Sequence, residues 1–217
     1  MTKGELREDP VLERMQAVLR FSERNSRWLI AGVVVLAAVI VGLLALRSAQ
    51  DRAEHDAALA LSEAQGSFMQ GNIAAAENQF RQVIDNFGRT AAAPAARIQL
   101  GDVLLAQGRA EEALSVSARV AQAGGVSDLL RVAGHRGRGA ALEELGRFAE
   151  ASEAYEQAAR MAPFMEGDDW LNAGRSALRA GDPARAKEML EQARTTVPDT
   201  RRPDVALYLA EADAALP

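Results

Sequence analysis

The chain has 217 residues, with 25 basic and 30 acidic side chains, 5% aromatics and no cysteine. Lack of cysteine excludes a disulfide framework, a lipid-modified N-terminal cysteine and cysteine metal sites. Beyond residue 46 the balance is 19 basic to 25 acidic, net −6 by subtraction, and so mild an acidity argues against nucleic acid as the main partner, since phosphate binding needs a basic face.

Alanine is abundant and β-branched runs are rare outside one apolar segment, a composition that favours closely packed helices and an all-α fold. Residues 1–9 are polar. Asp9 and Pro10 then read as a helix start, with Asp capping and Pro in the first turn. Val11, Leu12, Met15, Val18 and Leu19 recur on one face, which predicts a short amphipathic helix. It either lies on a membrane surface or partner, or serves only as a lead-in.

Trp28 to Leu46 is a run of nineteen residues without a charged or strongly polar side chain, closed by Arg27 and Arg47. As a helix it covers roughly 28 Å, about the hydrocarbon thickness of a bilayer, and predicts a single transmembrane helix over residues 28–46. A secretory signal has a shorter apolar run and a small-x-small exit, so this segment reads as an uncleaved anchor. The preceding arm, residues 1–27, carries Lys3, Arg7, Arg14, Arg20, Arg24 and Arg27. Only Arg47 and Arg52 appear in the first twenty residues beyond the anchor. The bias of Lys and Arg places the arm in the cytoplasm and residues 47–217 outside it. Ala38 and Gly42 form a small-xxx-small pair, a weak signal for packing between anchors against lipid-facing filler.

From Arg47 no Gly or Pro occurs until Gly66, so the anchor helix is expected to continue to about Gln70. Four turn signals follow, at Gly71, Gly108, Gly146 and Gly181, spaced by 37, 38 and 35 residues. A period of this size means stacked units that cannot bury their apolar faces alone. Five residues after each turn glycine stands an alanine: Ala76, Ala113, Ala151 and Ala186. Four further on stand Phe80, Ser117, Tyr155 and Leu190. Seven before the turn come Ala64, Gly101, Gly139 and Gly174. A small residue in mid-helix marks a close helix crossing, and the bulky residue is expected to fill the gap between neighbouring pairs. Pro163 and Pro198 are expected to stop the second helices of their units.

These residues resemble the tetratricopeptide repeat, a helix–turn–helix unit of about 34 residues. Four units are expected, at residues 57–88, 94–125, 132–164 and 167–199, followed by a capping helix at 203–216. The third unit matches best, through Gly139, Leu142, Gly146, Phe148, Ala151, Tyr155, Ala158 and Pro163. The second departs from the pattern at Ser117, where a large residue belongs, and the first is degenerate. The expected fold is therefore an α-solenoid behind one N-terminal transmembrane helix. An amphipathic arm, one anchor and an outward repeat domain further resemble the ancillary Sec-translocon subunit family of bacterial inner membranes. The run of Phe21, Asn25, Trp28, Leu29 and Gly32 into the anchor is similar too. That resemblance implies a periplasmic repeat domain beside the translocon and periplasmic chaperones.

No catalytic constellation, cofactor motif or metal-ligand spacing is recognisable, so neither an enzyme nor a cofactor is expected. His55 and His135 stand far apart, and His135 occupies a helix-packing register. Gly134, Gly137 and Gly139 superficially look like a phosphate loop but lack its Lys-Ser/Thr ending and a preceding strand. Arg131, Arg136 and Arg138, with Glu143, Glu144, Glu150 and Glu153 behind them, read as a solvated or mutually paired face. Glu166, Asp168 and Asp169 suit the start of a helix, where negative charge meets the dipole.

The resemblance implies a protein-binding groove on the first helices. Its register positions are Leu61, Gln65, Phe68 and Met69 in the first unit and Ile98, Asp102 and Leu105 in the second. Arg136 and Glu143 follow in the third, and Leu171, Arg175 and Leu178 in the fourth. Packing against neighbouring helices is the competing role for several of them. The function expected is a non-catalytic, membrane-anchored scaffold that binds envelope or exported proteins. The alternative is a structural subunit whose anchor and repeats drive homo-oligomeric assembly of an envelope or secretion complex.

Overall fold

The computed structural model describes residues 26–162 and 168–216. The expected amphipathic helix at 11–19, Pro163 and Glu166 lie outside the described residues. The chain falls into two compact units, Met1–Arg52 and Ala53–Pro217.

In the first unit the described residues belong to helix α1, Ser26–Met69, which runs on into the second. Its apolar run stands open: Trp28 and the large apolar residues from Ile30 to Leu46 are 47 to 75% exposed. By length and composition this segment is able to cross a membrane.

The second unit is all helix among its described residues. After α1 come α2 (Ile73–Asn86), α3 (Ala92–Ala106), α4 (Ala110–Ala121), α5 (Asp128–Glu144) and α6 (Phe148–Met161). Then follow α7 (Asp168–Arg179), α8 (Pro183–Thr196), a 3₁₀ turn at Asp199–Arg201 and α9 (Arg202–Ala215). From α2 onward each helix packs on the next, while α3 also meets α5 and α7 also meets α9. First helices of neighbouring pairs thus line one side of an α-solenoid, and α9 covers its open end.

The turns explain why the pairs form. Gly71, Gly108, Gly146 and Gly181 all have φ between +71° and +78°, a left-handed conformation that costs other residues a Cβ clash. At each, the next residue's amide reaches back five residues, as in Arg109 to the Leu104 carbonyl at 2.9 Å and Arg147 to Leu142 at 2.8 Å. The glycine amide bonds three residues back, giving a Schellman cap that satisfies the last carbonyls of the first helix. The second helix then starts at once. Asn72 and Asp182 cap it by accepting from the amides of Ala75 and Arg185. Arg109 and Arg147 bridge instead to Glu112 and Glu150 in the first turn.

The core is built of small residues meeting large ones. Ala64, Ala76 and Phe80 are fully buried with Leu100, Val103 and Leu104 in the first cluster. Leu142, Ala151 and Tyr155 form the next, and Leu171, Ala186 and Leu190 join Val205 and Ala212 of α9 in the last. A Cβ on Gly139 would stand 2.8 Å from the Tyr155 ring, and one on Gly174 would stand 2.5 Å from Leu190 Cγ. Each glycine is the notch that seats its bulky partner.

Candidate functional site: the concave groove

The first helices create a cavity of about 800 Å³ along the inner face of the second, third and fourth pairs. Ile98 and Asp102 of α3, Arg136 of α5 and Asp168, Asp169 and Asn172 of α7 line it, with the Tyr155 ring at its floor. Helical spacing sets this composition. Ile98 and Asp102 are four residues apart, one above the other on α3.

Two ion-pair systems lock the walls together. Arg136 donates through Nε and Nη2 to the two carboxylate oxygens of Asp169, both at 2.7 Å. Asp169 is only 4% exposed; the planar two-point fit supplies the strong hydrogen bonds that an acid at that depth requires. The Asp169 carboxylate in turn raises the Arg136 pKa. Two turns further along α5, Glu143 accepts from Ser176 Oγ at 2.8 Å and from Arg175 Nη2 at 3.2 Å. It also takes the Tyr155 hydroxyl at 3.3 Å. Burial, and then the nearby Glu143 carboxylate, push the Tyr155 phenol well above its ordinary value and keep it neutral. Asp102 has no such partner among the described residues. It remains accessible from the groove, yet protein atoms displace enough water around its carboxyl to raise its pKa.

The expected groove positions do not all share one environment. Ile98, Asp102 and Arg136 meet in the cavity, and Glu143 and Arg175 form the ionic bridge beside it. Phe68 and Met69 are exposed at the end of α1, Met69 to 86%. Gln65 is half-buried. Leu61 and Leu105 are partly buried against the first core cluster, and Leu178 packs on the last. Leu171 requires correction: at 1% exposure it belongs to the core, because α7 turns that face toward α8 and α9 rather than toward the groove.

The charges also pair differently from the solvated or mutually paired face read along the chain. Arg131 bonds Asp128, but Arg136 and Glu143 both reach across to α7. Their partners stand 32 or 33 residues downstream. Opposite charges one repeat apart were the available signal, and they identify Asp169 as a groove residue. Asp168 and Asp169 do occupy the first turn of α7 as expected. His135 is half-buried on α5, where burial and the charges of Arg138 and Arg131 lower its pKa.

A model described as a tetratricopeptide repeat-like domain matches residues 45–166, and a tetratricopeptide repeat model matches residues 171–216. Among solved structures, two of nearly identical repeats come from a Podosopora anserina chain assigned to the kinesin light chains. They align with TM-scores of 0.60 and 0.59 at 21% identity. The first covers 75% of this chain and 88% of that one. MamA aligns with a TM-score of 0.54 at 14% identity, over 70% of this chain and 93% of its own. These likenesses concern the fold alone. No curated protein matches the sequence.

Proposed function

Because the chain belongs to the tetratricopeptide-repeat family, whose repeats generally bind other proteins, we propose that it is a non-catalytic scaffold gripping a partner segment in the concave groove. The carrying observation is the cavity of about 800 Å³, walled by first helices that half-buried ion pairs hold at a set spacing. A wall fixed before binding loses little entropy on binding. Ile98, Asp102 and Arg136 form the centre of the contact surface, and exposed Phe68 and Met69 offer adaptable apolar contacts at one end.

The same reading makes residues 28–46 a membrane anchor with the arm in the cytoplasm and the repeats outside it. The bare apolar surface of α1 and the Lys/Arg bias of the arm support this. Partners are then envelope or exported proteins, with the translocon and periplasmic chaperones as candidates by resemblance. Two measurements in a bacterial host test the proposal. A photocrosslinker at Ile98 is expected to capture a protein that one at the exposed outer residue Gln157 does not; equal or absent capture removes the groove from the reading. A C-terminal alkaline phosphatase fusion is expected to be active, and a green fluorescent protein fusion dark. The reverse pattern places the repeats in the cytoplasm and rejects the export role.

A further inference from the structure

A second cavity, of about 520 Å³, opens beside the loops that join successive pairs. It differs from the groove in charge. Arg89, Arg97 and Arg119 line it, and the acid among its lining residues is Glu54. None of the three arginines has a carboxylate partner within ion-pair distance among the described residues, whereas Arg81, Arg109, Arg136, Arg147, Arg175 and Arg185 all do. Among the described residues of this unit, the other guanidinium groups without an ion pair are those of Arg138 and of Arg179, which lies over the Phe148 ring at 4.0 Å.

The helix ends strengthen the asymmetry. The cavity takes in the residues that open α3 and α5, including Ala91 and Ser127. Arg119 sits in the last turn of α4, where the dipole favours a cation. Arg89 has no such reason, since it directly precedes the positive end of α3. That end has no side-chain cap of its own residue. A carboxylate fills the role instead: Glu54 accepts the Ala91 amide at 2.9 Å. The loop beyond α4 contains Gly124 and Gly125, the latter with φ +75°, and brings bare backbone to the cavity rim.

We propose that this cavity is an anion site that takes a phosphate group. Three guanidinium charges against one carboxylate leave a surplus of two positive charges, which a phosphomonoester at neutral pH matches and a lone carboxylate does not. Arginine also suits tetrahedral phosphate through paired N–H donors. The phosphate belongs either to a soluble phosphomonoester or to a lipid headgroup, and the experiment separates these sources. The site is independent of the groove and of its partner.

The test uses the full chain, labelled with nitrogen-15, in neutral detergent micelles at constant ionic strength. Inorganic phosphate is titrated while the amides of Gly124, Gly125 and Ser127 are followed. In a second arm the chain is placed in nanodiscs of phosphatidylcholine, with and without phosphatidic acid, whose headgroup is a phosphomonoester. Saturable shifts of these amides are expected in at least one arm: with inorganic phosphate for a soluble source, only with phosphatidic acid for a headgroup. Arg89→Gln with Arg119→Gln alters two exposed residues and should weaken the response by about tenfold. Arg97→Gln provides an independent variant, and Arg138→Gln should leave the response unchanged. No shift in either arm overturns the site. So does an equal loss with Arg138→Gln, which would reduce the effect to general surface charge.

Discussion

The second and third helix pairs solve one packing problem in opposite ways. In the third pair Gly139 leaves a notch on α5 and the Tyr155 ring of α6 fills it. In the second, Gly101 faces Ser117, whose Oγ would stand 3.0 Å from an added Cβ. A serine leaves the notch underfilled, and α5 takes up the space. A Cβ on Gly137 would meet Ser117 Oγ at 2.7 Å, and one on Gly134 would meet the Ala121 backbone nitrogen at 2.5 Å. Two extra glycines on the following helix therefore replace one large side chain on the preceding one. Side-chain volume and helix approach are interchangeable at this position, provided neighbouring pairs agree on which is used.

The largest expected effect breaks the side of the comparison that depends on volume. Tyr155→Ala empties the third notch and releases Glu143 from one of its donors. It should lower the stability of the full chain by about 4 kcal/mol, read as a reduced unfolding midpoint in detergent. A loss below ~1 kcal/mol would mean that α6 collapses onto α5 and that the notch needs no filler.

Ser117→Tyr sharpens the comparison from the other side. It restores the large residue that the repeat pattern calls for, and in an independent unit such a change would stabilise. Here Ser117 is 1% exposed and is hemmed in by Gly101 and Gly137, so overpacking should cost about 3 kcal/mol. A variant as stable as the parent would show unused space between α4 and α5.

The smallest effect concerns ion pairs on the outer helices. Arg81 and Arg109 tie Glu77 and Glu112 across the first and second pairs, and Arg185 ties Glu156 across the third and fourth. Among the described residues no such bridge joins α4 to α6, where the close glycine contacts stand in its place. Hydrogen bonds from Arg109, with Arg81 and Gln107 also donating, hold the Glu77 carboxyl down at about 2 from an ordinary 4.5. A depressed folded-state pKa stabilises above the unfolded value and loses that contribution as pH falls. Stability should therefore decline between about pH 4.5 and pH 2, and Glu77→Gln should flatten that decline. Solvent screening keeps the difference to ~1 kcal/mol or less. An unchanged acid slope in the variant would assign the decline to other carboxylates.

Much of the fold was legible because it depends on local rules. A glycine every 35 to 38 residues specifies a left-handed cap, and all four adopt it. The absence of Gly and Pro between Arg47 and Gly66 predicted a helix running to about Gln70, and α1 ends at Met69. The small residues in mid-helix marked Gly139 and Gly174 as close contacts, but Tyr155 and Leu190 were expected between neighbouring pairs, whereas each fills the notch within its own pair. The groove was less legible. Spacing places a residue on the inner face of a helix, but whether it reaches the cavity depends on how far the next pair rotates around it.

By itself, then, the sequence determined the helical pairs, their turns and the apolar run near the N-terminus. Each follows from backbone conformation and hydrophobic periodicity within about one repeat. The tertiary structure alone decided that Leu171 goes to the core, that Arg136 and Glu143 reach across to α7, and that Ser117 suffices where a large residue is expected. It alone gathered Arg89, Arg97 and Arg119 around one cavity. Those outcomes depend on distances between residues far apart in the chain, which only the stacking of one pair on the next can set.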